Sequence, residues 1–452
     1  MNQSQQPERK RSQMQGPGAL NLDAHWMPFT AHGGFKADPR MIVAADGHYF
    51  TSDDGRQVFD SLSGLWCTGA GHGIEPIRVA IEQQLRQLDY APSFQFGHPL
   101  SFKLAERIAD FMPKGLNRVF FTNSGSDGAD TALKIARAYW RAAGKPEKTK
   151  LIGRVKGYHG VNYGGMSVGG IGANRKTFGT GLDADHLPST LLAENAFSQG
   201  MPQSGEYLAE HLLELIALHD ASNIAAVMVE PMSGSGGVVV PPQGYLERLR
   251  EICTAHDILL IFDEVITGLG RCGANTGAHA FGVVPDMLSL AKQLTNGVIP
   301  MGAVVSSQHI HETFMASAKA PHMIELAHGY TYSAHPVACA AALASLDYLS
   351  SEGLIDAAAR NAPVFEQLIH QVRGASHVVD IRNYGLAGAI QLAPRDGDAL
   401  IRPYEAGVAL WRAGFYVRWG GDTLQFGPPF ASSEQELSSL FDAVAEVLDH
   451  TP

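Results

Sequence analysis

The chain alternates short, almost purely apolar runs with longer stretches whose apolar positions recur every three to four residues. Between Leu100 and about residue 330 the runs are Val119–Phe121, Leu151–Val155, Ala225–Val229, Ile258–Phe262, Met287–Ala291 and Ala303–Ser306. Runs this short and unbroken predict strands covered on both faces, and the helical patterns between them predict βαβ units feeding a mostly parallel sheet. Upstream, apolar and polar residues alternate around Ala37 to Asp60, with turn signals at Asp46-Gly47 and Asp54-Gly55. That predicts a small antiparallel sheet. An Ala-rich helix is predicted over Pro336–Ser351, able to pack closely on a neighbour, and beyond residue 352 helical patterns mix with short strands at Val378–Ile381 and Ala389–Leu392. The expected α/β architecture has a flexible tail over 1–20 and a large domain over 71–335. A linking helix spans 336–351, and a smaller α+β lobe is drawn from both ends of the chain, 21–70 and 352–452.

With 452 residues the chain exceeds the size at which one core stops growing, which agrees with a large domain and smaller lobes. Hydrophobic residues make up 45% and charged residues 17%, enough to cover both faces of a sheet. A formal net charge of −11 weighs against nucleic acid, and basic residues cluster only at Arg9, Lys10 and Arg11. The first eighteen residues lack an apolar segment and read as a solvated tail; no stretch has the length to span a bilayer. Cys67, Cys253, Cys272 and Cys339 form no CxxC pair, so reduced thiols in a cytoplasmic protein are expected, with neither a disulfide framework nor a metal site.

The chemistry gathers where apolar runs end. Lys292 closes Met287–Ala291 and Asp263 closes Ile258–Phe262. In an open α/β sheet ligands bind beyond the carboxyl ends of strands, so the two side chains can meet in one crevice. Each alone is an ordinary strand-end residue; together they suit pyridoxal phosphate, whose aldehyde forms a Schiff base with a lysine and whose pyridine nitrogen needs a carboxylate to stay protonated. The segment Thr122–Asp130 follows an apolar run and precedes a helical pattern over Thr131–Trp140. Gly125 lets backbone approach an anion and Ser124 and Ser126 add hydroxyls, so it reads either as a phosphate cup or as a serine-rich helix cap. Tyr158-His159-Gly160 follows Leu151–Val155 and offers a ring to stack on a flat cofactor or to pack in the core, and Glu230 follows Ala225–Val229 as a supporting carboxylate. Gly268-Leu-Gly270-Arg-Cys-Gly273 has dinucleotide-fingerprint spacing and Gly165-Met-Ser167-Val-Gly169 has nucleophile-elbow spacing. Neither is followed by the helix its motif requires, so both are expected to be glycine-rich loops.

Ser124-Gly125-Ser126, Tyr158-His159-Gly160, Asp263-Glu264-Val265-Ile266-Thr267, Ala-Lys292-Gln-Leu-Thr-Asn-Gly and Gly329-Tyr-Thr331-Tyr-Ser-Ala-His-Pro336 occur in the order in which they stand in the class III, or ω-amino acid, aminotransferases. The chain resembles this family from about Ala24 to its C-terminus. Within the class, His25–Phe29, Gly64–Trp66 and Gly420–Pro428 look most like the members that pair β-alanine with pyruvate. The resemblance implies a fold type I pyridoxal phosphate transferase with a seven-stranded, mostly parallel sheet. It implies that Lys292 carries the cofactor and moves protons, that Asp263 holds the pyridinium, and that Ser124, Gly125, Ser126, Tyr158, His159, Glu230, Val265 and Ile266 surround it. Thr331 would complete the phosphate site from a partner subunit, in a homodimer or a tetramer of paired dimers. Trp66, Arg418 and Gln425 would contact substrate, with Arg418 gripping a carboxylate. A broad ω-amine or polyamine aminotransferase, an aminomutase and a non-catalytic pyridoxal-binding protein stay open as alternatives.

Overall fold

Three sheets organise the computed structural model, which describes residues 20–179 and 181–452. All but one residue of the tail expected over 1–20, with its basic cluster, lies outside the described residues. The first sheet holds β1 (Ile42–Asp46), β2 (Tyr49–Ser52) and β3 (Gln57–Asp60), all antiparallel. The strands begin later than the alternation suggests: His32–Ala37 is a short helix, residues 38–41 are irregular, and the first strand starts at Ile42.

The central sheet contains β4 (Leu116–Thr122), β5 (Lys150–Arg154), β6 (Ala184–Leu187), β7 (Ile224–Val229), β8 (Leu259–Asp263), β9 (Met287–Leu290) and β10 (Gly302–Ser307). Their order is β4-β10-β9-β8-β7-β5-β6. β10 runs antiparallel to β4 and β9, and the other pairings are parallel. Every residue of β7, β8 and β9 is buried, which is why these strands read as unbroken apolar runs. Successive side chains serve opposite faces: Val227, Val229, Leu260, Phe262, Leu288 and Leu290 join one core, while Ala226, Met228, Ile261 and Met287 join the other. Each of these Val, Leu, Ile, Phe and Met side chains contributes roughly 1.5–3 kcal/mol by leaving water. Helix Gly125–Ala142 closes the second face, with Ala129, Ala132 and Ala136 against the sheet.

β11 (Val378–Tyr384), β12 (Ala387–Leu392), β13 (Phe415–Tyr416), β14 (Arg418–Gly420) and β15 (Thr423–Phe426) lie towards the C-terminus. Four of them form the third sheet, in the order β11-β12-β15-β14, whereas β13 joins the first sheet, parallel to β3 through Phe415↔Phe59 and Tyr416↔Asp60. Helix Pro336–Ser351 has the predicted bounds, starts on a proline capped by His335, and packs on helix Glu75–Gln87.

One expectation is overturned. The stretch read as a loop around Gly165 and Ser167 is the helix Tyr163–Val168, and a second helix, Gly172–Phe178, follows it. Its glycines are there for close packing: a Cβ on Gly164 would stand 2.5 Å from Asp130 Oδ1, and one on Gly165 would stand 2.0 Å from the His159 carbonyl oxygen. Ser167 is fully buried and donates to the Tyr163 carbonyl at 2.6 Å, so it is no exposed nucleophile.

Candidate active site

Neighbouring strands β8 and β9 deliver Asp263 and Lys292 to the same end of the sheet, with Asp263 in register with Ser289. Lys292 opens a 3₁₀ turn, Lys292–Thr295, with φ of 47°, a left-handed conformation that a lysine adopts only when its surroundings hold it. They do. Gln293 Oε1 accepts from the Gly69 amide at 2.6 Å, Asn296 Oδ1 accepts from the Ala70 amide at 3.2 Å, and Asn296 Nδ2 donates to the Gly71 carbonyl at 2.8 Å. Burial lowers the basicity of Lys292; Cys67 and Asp263 oppose that shift, Arg418 adds to it and Glu230 opposes it. These groups therefore share one electrostatic neighbourhood.

Asp263 is buried and takes three hydrogen bonds. Oδ1 accepts from the Val265 amide at 3.1 Å and from Ser289 Oγ at 3.2 Å, while Oδ2 accepts from His159 Nδ1 at 2.9 Å. A carboxylate offers about four lone-pair directions, so Oδ2 keeps one for a further N–H donor. Ser289 escaped the sequence reading although it is the only polar residue in the run Met287–Ala291.

Ser124 caps helix Gly125–Ala142, its hydroxyl accepting from the Asp127 amide at 3.1 Å. The Gly125 and Ser126 amides have no partner among the described residues and stand at the positive end of an 18-residue helix. The Val161 amide donates to Ser126 Oγ at 3.2 Å, leaving that hydroxyl proton to give. Gly125 is packed under Val265, whose Cγ2 would be 2.9 Å from an added Cβ. Gly160, at φ of 89°, lies so near Ser126 that a Cβ would meet its Cα at 2.6 Å. Ile266 packs in the same way on Gly234.

Half-buried Tyr158 donates its amide to Glu230 Oε1 at 2.9 Å. Glu230 Oε2 accepts from the Gly234 amide at 3.0 Å, so this buried carboxylate, its pKa raised by burial, joins two loops at the rim. Burial raises the Tyr158 phenol pKa, and the Arg418 charge opposes that.

Arg418 and Gln425 face each other across β14 and β15. Burial lowers the Arg418 pKa, yet among the described residues no carboxylate lies within ion-pair distance of its guanidinium. Trp66 is only 2% exposed, with the Arg271 guanidinium 5.5 Å from its ring centroid. Arg271, the arginine of the dinucleotide-like motif, donates to the carbonyls of Leu386 and Pro428 and to Ser63 Oγ, so that motif is a structural clasp. Thr331 stands apart from this group within the chain: it is exposed, and its carbonyl accepts from Tyr90 Oη at 3.1 Å.

The residues suit pyridoxal phosphate. Free amides and a hydroxyl at a helix N-terminus match a phosphate, the vacant Oδ2 direction on Asp263 matches a protonated ring nitrogen, and Lys292 is an amine whose basicity burial has reduced.

Known proteins resemble this chain in sequence and in fold. The chain is 62% identical over 431 residues to the β-alanine–pyruvate aminotransferase of Pseudomonas aeruginosa, covering 95% of this chain and 96% of that one. It is likewise 62% identical over 432 residues to the ω-amino acid–pyruvate aminotransferase of Pseudomonas putida, covering 95% and 96%. The crystal structure of a PLP-bound amine transaminase from an uncultivated Pseudomonas species superposes with a TM-score of 0.87 at 37% identity, covering 96% of this chain and all of that one. Since the family model for class-III aminotransferases also matches residues 33–448, the chain belongs to the class-III aminotransferases.

Proposed function

We propose that the chain transfers an amino group from an ω-amino acid, β-alanine foremost, to pyruvate, releasing malonate semialdehyde and L-alanine. The observation that carries this reading is Arg418, a half-buried guanidinium that has no acidic partner among the described residues and lies in the electrostatic neighbourhood of Lys292. β-Alanine and pyruvate share one feature that such a cation recognises, a carboxylate. The printed names of the two 62% relatives agree with that pairing.

Pyridoxal phosphate, when bound, supplies the aldehyde that takes up the amino group and the ring that accepts electrons. Lys292 Nζ then takes and returns the proton at the reacting substrate carbon, a task suited to an amine made less basic by burial. Asp263 Oδ2 keeps a proton on the ring nitrogen, and His159 and Ser289 fix the plane of that carboxylate. Ser124, Gly125 and Ser126 would hold the phosphate and Tyr158 would stack on the cofactor ring, while Val265 and Ile266 pack on Gly125 and Gly234. Arg418 grips the substrate carboxylate, Gln425 contacts the substrate beside Arg418, from which it accepts a hydrogen bond, and Trp66 forms a wall of the amine pocket. In this reading Thr331 serves the phosphate site of a second subunit in a homodimer, which can pair into a tetramer. The protein works in the cytoplasm, without nucleic acid. The proposed division of the chain places the large domain at 71–335, the linking helix at 336–351, and the small lobe at 21–70 and 352–452. Among the described residues no helix is long and apolar enough to cross a membrane.

The test is the visible spectrum of the purified protein. The cofactor's long-wavelength absorbance should fall on adding β-alanine and return on adding pyruvate. A response only to some other amine discards β-alanine as donor, and failure to take up pyridoxal phosphate overturns the reading.

A further inference from the structure

The Arg418 guanidinium is held at one corner only. Nη1 donates to Gln425 Oε1 at 3.4 Å and to Ser235 Oγ at 3.5 Å, while Nε and Nη2 have no hydrogen-bond partner among the described residues. Ser235 is firmly placed. It tips a hairpin closed by reciprocal Ser233 and Val239 backbone bonds of 3.0 and 2.9 Å. The Gly234 amide of that hairpin is fixed by Glu230, and its Gly237 carbonyl by Arg382 Nε at 2.9 Å. The tether thus sets which edge of the guanidinium stays free, the edge bearing Nε and Nη2.

Gly420 lies beside that edge. It follows Arg418 by two residues on β14 and so shares its face of the sheet, while Trp419 turns to the other face and packs on Gly407. A Cβ at Gly420 would stand 3.9 Å from Nη2, 4.0 Å from Nε and 3.8 Å from Gln425 Nε2, with no closer neighbour. These are ordinary contacts, so packing does not exclude a side chain there. Nor does the backbone, because Gly420 is absent from the positive-φ residues that include Gly421 at 59°. A glycine demanded by neither packing nor conformation leaves something open, and what borders the opening, nearly equidistant, is the pair of nitrogens that grips a carboxylate side-on.

We propose that the substrate carboxylate docks side-on against Nε and Nη2 of Arg418, and that Gly420 is a specificity-determining residue that keeps this edge open. The inference rests on the reading that Arg418 receives the carboxylate, and it adds which edge is used and what guards it. In a bidentate pair both oxygens come within about 2.7–2.9 Å of the two nitrogens, so a carboxylate needs the volume that a methyl at 420 would crowd.

The experiment titrates propanoate, a bare carboxylate, into the holoenzyme by calorimetry for the wild type, G420A and R418A, with Tm as the check on folding. Propanoate Kd should rise at least about fivefold in G420A with Tm unchanged, and at least about tenfold in R418A. The ratio of kcat/KM for pyruvate to that for an acceptor aldehyde without a carboxylate should fall in G420A by a similar factor. If R418A weakens propanoate and G420A does not, the side-on docking is wrong and the role of Arg418 stands. If R418A leaves propanoate binding unchanged, the role of Arg418 itself is wrong.

Discussion

Lys292 shows how one residue can carry strain and function together. Its left-handed backbone lies in a turn that side-chain bonds from Gln293 and Asn296 tie to the 69–71 segment. Alanine has the same backbone preferences as lysine at such a φ, so Lys292→Ala adds no new strain and isolates the amine. The variant should take up pyridoxal phosphate while turnover with β-alanine and pyruvate falls by at least about 10³-fold. Steady-state kinetics beside a cofactor-binding titration check this, and near-normal turnover would remove Lys292 from the proposed chemistry.

At the scale of elements, buried Glu264 ties the end of β8 to the next helix. Its carboxylate accepts from the Ala278 amide at 2.8 Å, from the Gly277 amide, and from Thr267 Oγ1 at 3.1 Å, capping helix Gly277–Phe281. Burial outweighs these bonds and pushes its pKa up to about 7. Between the ordinary glutamate value and that pH the folded chain holds a proton that the unfolded chain has released, so this group's contribution to stability falls as pH rises through the window. Glu264→Gln cannot titrate, and its Tm relative to the wild type should therefore climb from pH 5 to pH 7. A flat difference would show that Glu264 is already ionised at the lower pH.

The elements most legible in sequence were those buried on both faces, because unbroken apolar runs leave little choice: β7, β8 and β9 lie within a residue of their predicted bounds. β6 escaped because Ala184–Leu187 is a half-buried edge strand carrying Asp185 and His186. Helix Tyr163–Val168 escaped because its glycines signal a break locally, while the needs of packing against Asp130 and His159 are visible only in three dimensions. The same limit applied to the site. The residues ending apolar runs could be singled out, but that Asp263 faces Ser289, or that Arg418 faces Gln425 across strands of three and four residues, depends on register.

For the molecule as a whole, the surface around Thr331 invites association. Tyr90 bonds to the Thr331 carbonyl and meets Tyr332 edge-on, Phe94 lies over Gly329, and Phe96 and Phe102 are 72% and 67% exposed nearby. Exposed aromatics of this kind mark interfaces, and the dimer proposed above would cover them. Light scattering should accordingly give twice the mass of one chain, or four times if dimers pair; a monomer at working concentration would leave Thr331 without its proposed task.

β13 gives the chain a timetable. The sheet begun by residues 42–60 gains its fourth strand only from Phe415 and Tyr416, and the segment that leads on to Trp66 is bonded there: Ser61 donates its amide to the Tyr416 carbonyl at 3.2 Å, and Gly427 donates its amide to the Ser61 carbonyl at 2.8 Å. A ribosome therefore makes the first part of this lobe long before the residues that finish it. The central sheet, whose strands lie between residues 116 and 307, can close while translation continues. In the proposed reading the lobe that faces the substrate waits for residues 415–427, which the ribosome adds about a hundred residues after the last strand of the central sheet.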